Sequence, residues 1–355
     1  VGAIRLDKVD SGIPTLFSAR RYVGNTTGLR QINGLGLAPD MVWIKDRDGT
    51  NSHTLADSVR GGGYSLYPDI HYQNDTTANG ITGFLNDGFQ LGKSGTGNSN
   101  GGNNINGDNV AFISWAWKAN GSPVSIANNA TGVSNATNIT QSASSTTGFS
   151  ITKFTGHASG GSFPHNLGDT PGWVIIKNLG DTQHWTVWHS GASTKHGFLS
   201  LPNTFSDNGA AQFPTAPSSS IISFGTDGNN GGSASQDFIC YAWKAVSGVS
   251  AFGTYQGNGG SSTNTNNGIN AIGFKPRFLM IKAIDAAYPW MIFDSFREET
   301  ANKDNYLRAD DEAAEEGSSS VHDINFTSTG FSLSTATTGT WTNDNSKNYI
   351  YAAFA

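Results

Sequence analysis

The sequence predicts an all-β chain of three tandem β-sandwich modules of about 100 residues each, jelly-roll-like or closed as small barrels. Composition is the first reason. Of 355 residues 45 are glycine, only 14% are charged, and Asn, Ser and Thr crowd every segment, which leaves too little Ala, Glu, Lys and Leu for surface helices. The second reason is that the apolar runs are short, bounded by Gly, Asn and Pro, and carry no sustained helical period. The third is an internal repeat, which redefines the fold question.

Three anchors recur in one order. An aromatic strand runs into glycine at Tyr22-Val23-Gly24, Phe154-Thr155-Gly156 and Tyr255-Gln256-Gly257. An apolar strand then ends in lysine, at Met41-Val42-Trp43-Ile44-Lys45, Trp173-Val174-Ile175-Ile176-Lys177 and Phe278-Leu279-Met280-Ile281-Lys282. A closing strand finishes each copy on an aromatic residue, Trp117, Trp243 or Phe354, which lies 72, 66 and 72 residues beyond its lysine. Local motifs agree between copies one and three: Asp57-Ser58-Val59-Arg60 matches Asp294-Ser295-Phe296-Arg297, and Asn86-Asp87-Gly88-Phe89 matches Ser328-Thr329-Gly330-Phe331, a turn feeding an alternating strand. Copy two departs, with Trp188-His189-Ser190-Gly191 in place of Asp-Ser-x-Arg, so the acidic and basic pair is expected to bracket a strand end in two copies only.

These anchors divide the chain into an N-terminal segment 1–16, β module 17–120, a Ser/Thr/Asn-rich linker 121–147, and β modules 148–247 and 248–355. The linker is inferred because the first two anchor lysines stand 27 residues further apart than the second two. Modules two and three, with a short junction, are expected to form the stiffer pair. Trp43, Trp117, Trp173 and Trp243 are assigned to the inter-sheet core of their own modules, since burying one such ring removes roughly 150 to 250 Å² from water. Val1 in place of methionine is expected of a processed chain or of a piece of a longer one.

Several function classes are disfavoured. A formal charge of -6 with no basic stripe gives no footprint for nucleic acid, and no apolar run is long enough for membrane insertion. No secretory signal stands at the start. Cys240, the one cysteine, sits in an alternating strand and is expected to be a small buried hydrophobe. Five of the eight histidines, His157, His165, His184, His189 and His196, fall in copy two, but their spacing fits no zinc motif. Asp46-Arg47-Asp48-Gly49-Thr50-Asn51 imitates half a calcium loop and lacks the closing Glu, and the acidic stretch Asp310 to Glu316 reads as a solvated loop or a single helical turn. Neither metal nor cofactor is expected. Ser58 and Ser295 lack the strained elbow of a nucleophile, and no two carboxylates are visibly paired for glycoside hydrolysis, so no catalytic residue is assigned and the chain is expected not to be an enzyme.

The run Gly36-Leu37-Ala38-Pro39-Asp40-Met41-Val42-Trp43-Ile44-Lys45, followed by Asp57-Ser58-Val59-Arg60-Gly61, Asn86-Asp87-Gly88-Phe89 and Trp115-Ala116-Trp117-Lys118, resembles a tandem repeat module of virion structural proteins of marine and cyanobacterial phages, described as tail-fibre-like. The resemblance covers most of residues 17 to 355 and is weakest in copy two. It implies a virion surface, extracellular location, contacts with other virion proteins and a homo-oligomer such as a trimer. It carries no catalytic residues. Two readings follow, a tail-fibre or spike-type adhesin that contacts host surface glycan or protein, and a purely architectural virion or filament subunit, with a polysaccharide depolymerase behind both. For the adhesin, the ligand-binding candidates are the loop aromatics Tyr64, Tyr67, Tyr72, Trp185, Trp188, Tyr288 and Trp290.

Overall fold

The computed structural model describes residues 16–76, 79–93, 105–260, 268–269, 272–297, 305–317, 322, 324–333 and 340–355; all but the last residue of the expected N-terminal segment 1–16 lies outside them. The chain is all-β and every sheet is antiparallel. Among the described residues there is no α-helix, only a 3-10 turn at Ser190–Ala192.

Three sheets share one strand order. In the first the opening strand Phe17–Val23 pairs with the closing strand Ala111–Trp117, which pairs with the lysine-ended strand Met41–Asp46, which pairs with Thr54–Asp57. The second repeats this with Phe149–Thr155, Asp237–Trp243, Trp173–Asn178 and Thr186–His189, and the third with Ser250–Gln256, Asn348–Phe354, Phe278–Ala283 and Met291–Asp294. The register repeats too. Trp117 stands opposite Phe17 and Met41, Trp243 opposite Phe149 and Trp173, and Phe354 opposite Ser250 and Phe278. A smaller sheet lies over each: Arg30–Asn33 with Gly88–Leu91 and Ile81–Leu85, Gly161–Pro164 with Ile221–Phe224, and Gly268–Ile269 with Gly330–Leu333 and Ile324–Thr327.

Alternation along each strand sends neighbouring side chains to opposite faces. One face meets the smaller sheet. Val42, Ile44, Phe112 and Ala116 pack with Ile32, Ile81 and Phe89, while Val174, Ile176, Phe238, Cys240 and Ala242 pack with Phe163, Ile222 and Phe224. The other face corrects the expectation of three separate tryptophan cores. Trp43, Trp115, Trp117, Trp173, Trp243, Phe278 and Phe354 belong to one common interior. At its centre the closing aromatics of the three copies form a triangle, with ring centroids 6.2 Å (Trp117 to Trp243), 6.1 Å (Trp243 to Phe354) and 5.6 Å (Trp117 to Phe354) apart. The physical reason is that the lysine-ended strands are buried along their whole length, a pattern that requires a partner on both faces.

The glycine anchor has a steric cause. A Cβ on Gly24 would stand 1.9 Å from the Gly107 carbonyl oxygen, one on Gly156 2.2 Å from that of Gly231, and one on Gly257 2.1 Å from that of Asp344. No other residue permits this approach.

Residues 121–147 are not a free linker. Val124–Ile126 and Thr137–Ser144 extend the second sheet beyond Phe149–Thr155. Ala136 and Ile139 enter the interior of the second copy, and the buried Gln141 amide donates to Thr152 Oγ1 and the Pro164 carbonyl, so a polar sequence is held as strand by side-chain bonds and two apolar contacts.

Candidate functional site

The three copies meet at three seams, and equivalent residues make equivalent bonds across them. The backbone N–H groups of Asn74, Phe205 and Glu315 donate to the carbonyls of Leu179, Ile284 and Arg47, in each case two residues past an anchor lysine. The residue before each fourth strand offers a ring N–H to the neighbouring copy. Trp185 Nε1 donates to the Tyr67 and Ile70 carbonyls, Trp290 Nε1 to the Phe198 carbonyl, and His53 Nε2 to the Arg308 carbonyl. His53 has its tautomer fixed, because its Nδ1 accepts from Trp43 Nε1 at 2.8 Å. First copy joins second, second joins third, and third joins first.

The anchor lysines are buried and capped by carbonyls. Lys45, Lys177 and Lys282 each donate at 2.7 Å to the carbonyl of the next residue, and Lys282 also reaches the Pro202 carbonyl across its seam at 3.1 Å. Burial disfavours the ammonium, lowering Lys177 to about 7 and Lys282 to about 8. At the seam between copies three and one, Glu315 bonds Arg47 with both carboxylate oxygens and Arg297 at 3.0 Å, and the arginines hold its carboxyl below the usual range. This ties down part of the acidic stretch that the sequence suggested as a solvated loop.

The seam between copies one and two opens into a cleft of about 780 Å³. Its first wall is the segment carrying Arg60, Tyr64 and Asn74. Its second wall comes from the insertion and the strand beside it, through Thr137, Asn138, Lys153 and Thr155, with Gln236 and Asp237 at the rim. Tyr64 is 37% exposed while Ser65 beside it is buried, as strand alternation dictates. Glycine is required in the run before it: a Cβ on Gly62 would stand 2.2 Å from the Thr82 carbonyl oxygen, and Gly63 has a φ of 85°. Charges in the cleft are matched internally. Lys153 Nζ lies 2.6 Å from Asp237 Oδ2, and Asp237 Oδ1 accepts from Thr155 Oγ1 at 2.7 Å. Arg60 is spent on Asp57, Asn74, the Leu55 carbonyl and the Tyr241 hydroxyl. The seam between copies two and three, which has no insertion, holds a smaller cleft of about 220 Å³ near His196 and Asn203.

One family match spans residues 14–355, described as a domain of unknown function. The chain belongs to the DUF7483 family. No curated protein and no solved structure matches it. The DUF7483 match takes in all three copies and the insertion together.

Within this DUF7483 chain the seven loop aromatics do not gather. Four are corrected from solvent-facing positions to buried ones: Tyr67, Trp185, Trp188 and Trp290. Trp185 and Trp290 bond across seams, Trp188 Nε1 donates to the Ser193 carbonyl inside copy two, and the Tyr67 hydroxyl donates to Asp75 at 2.7 Å. The Trp185 and Trp290 rings fill the common interior and the Trp188 ring fills the core of copy two, and the polar edge of each of the four finds a carbonyl or carboxylate. Tyr72 is half-buried beside His71, and Tyr288 is half-buried with its hydroxyl on Asp344 at 2.5 Å. Tyr64 alone of the seven lines the large cleft. Sequence reasoning missed Asn138, Lys153, Gln236 and Asp237. The available signal was the insertion itself, the largest departure of one copy from the others. His71 and His184 face each other across the first seam with ring centroids 5.1 Å apart, but among the described residues no group of three or more His, Cys, Asp or Glu gathers for a metal.

Proposed function

We propose that this DUF7483 chain is a phage virion surface protein, a tail-fibre or spike-type adhesin whose ligand is host envelope glycan. The observation that carries the reading is the location of the large cleft. Where the copies agree they are occupied in holding one another, and the cleft of about 780 Å³ lies where an insertion makes one seam unlike the rest. Repeated frames that diverge at one loop cluster place function in the divergence. The resemblance of the anchor motifs to tail-fibre-like virion modules supports a particle-surface location. Many copies on one particle, self-associated or mounted on other virion proteins, would multiply a weak affinity.

Binding without turnover fits the cleft better than hydrolysis. Asp237 is the one carboxylate among its lining residues and is ion-paired, whereas glycoside hydrolysis needs two carboxyl groups about 5 to 10 Å apart. The architectural reading, a shaft or decoration subunit, draws on exposed apolar residues at one end of the first copy, Val23 at 52% and Leu29 at 67%. The two separate in one experiment. Fluorescently labelled protein on multivalent beads is expected to be retained on host cells and released by soluble envelope polysaccharide. Absence of retention at high valency, with the protein found along the particle's shaft or head by electron microscopy, would establish the architectural role instead.

A further inference from the structure

We propose that the cleft between the first and second copies binds a short stretch of neutral, hydroxyl-rich saccharide, stacked on Tyr64 and hydrogen-bonded by the Asn138 and Gln236 amides. The proposal rests on the glycan-binding reading above and adds the site and the ligand class. The size is suitable: ligand sites commonly hold roughly 300 to 1,000 Å³, and this cleft holds about 780 Å³.

Its chemistry selects among ligands. A pyranose ring presents an apolar C–H face and a rim of hydroxyls, which calls for a flat aromatic surface beside amides and hydroxyls. Tyr64 is the one aromatic residue lining the cleft, and its ring has only two side-chain torsions to order on stacking. Asn138, exposed in the left-handed region at φ 51°, projects from the inserted strand and already donates to Thr155 Oγ1 at 3.2 Å. Gln236 lies over Gly180, where an added Cβ would meet its Oε1 at 1.7 Å.

Charge argues for a neutral saccharide. The cations of the cleft are committed, Lys153 to Asp237 and Arg60 to Asp57, so a uronate or phosphate would have to share each cation with a carboxylate already bound to it. The formal charge of -6 on the whole chain also repels polyanions at long range. A protein ligand fits less well. Protein partners seat apolar or aromatic anchors in desolvated pockets, and the apolar lining here is confined to Val59 and Leu179, of which Leu179 is buried.

The test uses the full chain on a printed array of neutral and anionic bacterial oligosaccharides, followed by titration of the best-retained neutral one. Neutral saccharides are expected to be retained. Tyr64→Ala and Gln236→Ala are each expected to weaken binding about tenfold or more, with Tyr64→Phe close to the parent and thermal midpoints unchanged. Retention that survives both alanine variants would leave the glycan reading standing and remove this cleft from it. Preferential retention of anionic saccharides, or capture of a displayed peptide abolished by Tyr64→Ala, would overturn the ligand class. An array with no saccharide retained would take down the glycan reading along with the site.

Discussion

The Tyr241 hydroxyl of the second copy donates to Asp57 Oδ2 of the first at 2.7 Å, and the carboxylate it reaches is the one that Arg60 holds at 2.6 Å. The next seam repeats the arrangement, with Trp115 Nε1 donating to Asp294 Oδ2 at 3.0 Å beside Arg297. At the remaining seam the donor position is occupied by Ala352, which has nothing to give. There the acid is replaced by His189, whose Nε2 donates to the Tyr351 carbonyl at 3.0 Å while Nδ1 accepts from Gly191 N. The departure of copy two from the Asp-Ser-x-Arg motif is therefore the matched loss of an acceptor and its donor. Burial and the neighbouring carboxylate keep the Tyr241 hydroxyl protonated well above its ordinary range, so it is a donor whenever the chain is folded.

Removing either half of such a pair leaves a buried charge short of a partner. Tyr241→Phe is expected to cost about 1.5 to 3 kcal/mol, the range for hydrogen bonds to charged groups, read as a shift in denaturant midpoint at constant slope. His189→Asp puts a carboxylate where no arginine and no side-chain donor from the neighbouring copy waits, only the Gly191 N–H, since Ala192 occupies the position equivalent to Arg60, and is expected to cost about 3 kcal/mol or more. A neutral outcome for His189→Asp would mean that the seam between copies two and three is open to water.

The indoles divide into bonded and unbonded sets. Trp185 Nε1 donates to two carbonyls of the first copy, whereas Trp117, Trp173 and Trp243 at the shared centre have no hydrogen-bond partner for Nε1. Trp185→Phe strands two acceptors, while Trp243→Phe removes a donor that bonds nothing in the protein. With similar ring volume lost, Trp185→Phe is expected to be the more destabilising by about 1 to 2 kcal/mol, measured by parallel urea titrations.

The repeat was legible because its anchors have local causes that every copy must obey. Gly24, Gly156 and Gly257 each touch a backbone carbonyl, and Lys45, Lys177 and Lys282 each curl onto the next residue's carbonyl. The shared centre was not legible. A strand such as Met41–Asp46 is apolar at both parities, and that pattern reads alike whether its second face meets a sheet of its own copy or a neighbouring copy. Thr137–Ser144 misled for another reason: its composition is that of a linker, and what makes it a strand, the Gln141 bonds and the burial of Ile139, depends on residues elsewhere. Tyr64 is legible as a loop aromatic, but the cleft needs it across from Asn138, a juxtaposition that comes only from the docking of copy one against the insertion and copy two.

Acid should loosen the seams in a way that a single histidine reports. Burial lowers His189 to about 4 and pushes His53, beside Lys45 and Arg297, well below its ordinary value. Unfolded histidine titrates near 6.5, so between about 4 and 6.5 the unfolded chain binds more protons and stability rises with pH. The histidine contribution is complete above about 6.5 and is lost as pH falls toward about 4. Asp69 and Asp310, raised by burial to about 7 and about 6, act in the opposite sense: their contribution is complete below about 4 and declines as pH rises. Comparing the parent with His189→Gln cancels the aspartates. The thermal-midpoint advantage of the parent is expected to shrink from pH 7 to pH 4, and a gap independent of pH would show that His189 is not held neutral in the seam.

Excising residues 122–146 separates the ring from the cleft. The cut leaves Lys118 to Gly121 joined to Thr147 and Gly148, six residues, matching the six of Lys244 to Val249 that connect the second and third copies. The geometry permits it, because Trp117 and Phe149 both lie against Trp243 at the common centre, with ring centroids 6.2 Å and 4.6 Å from it. The shortened chain is expected to fold with its three seams intact, read as retained near-ultraviolet circular dichroism from the tryptophan centre. It should be less stable by about 1.5 to 3 kcal/mol, the worth of burying a side chain such as Ile139. It should also self-associate more readily, because Phe149–Thr155 becomes an uncovered edge strand. Saccharide binding should be lost with the second wall of the cleft. A chain that failed to fold after this excision would show that the inserted strands help hold the ring together.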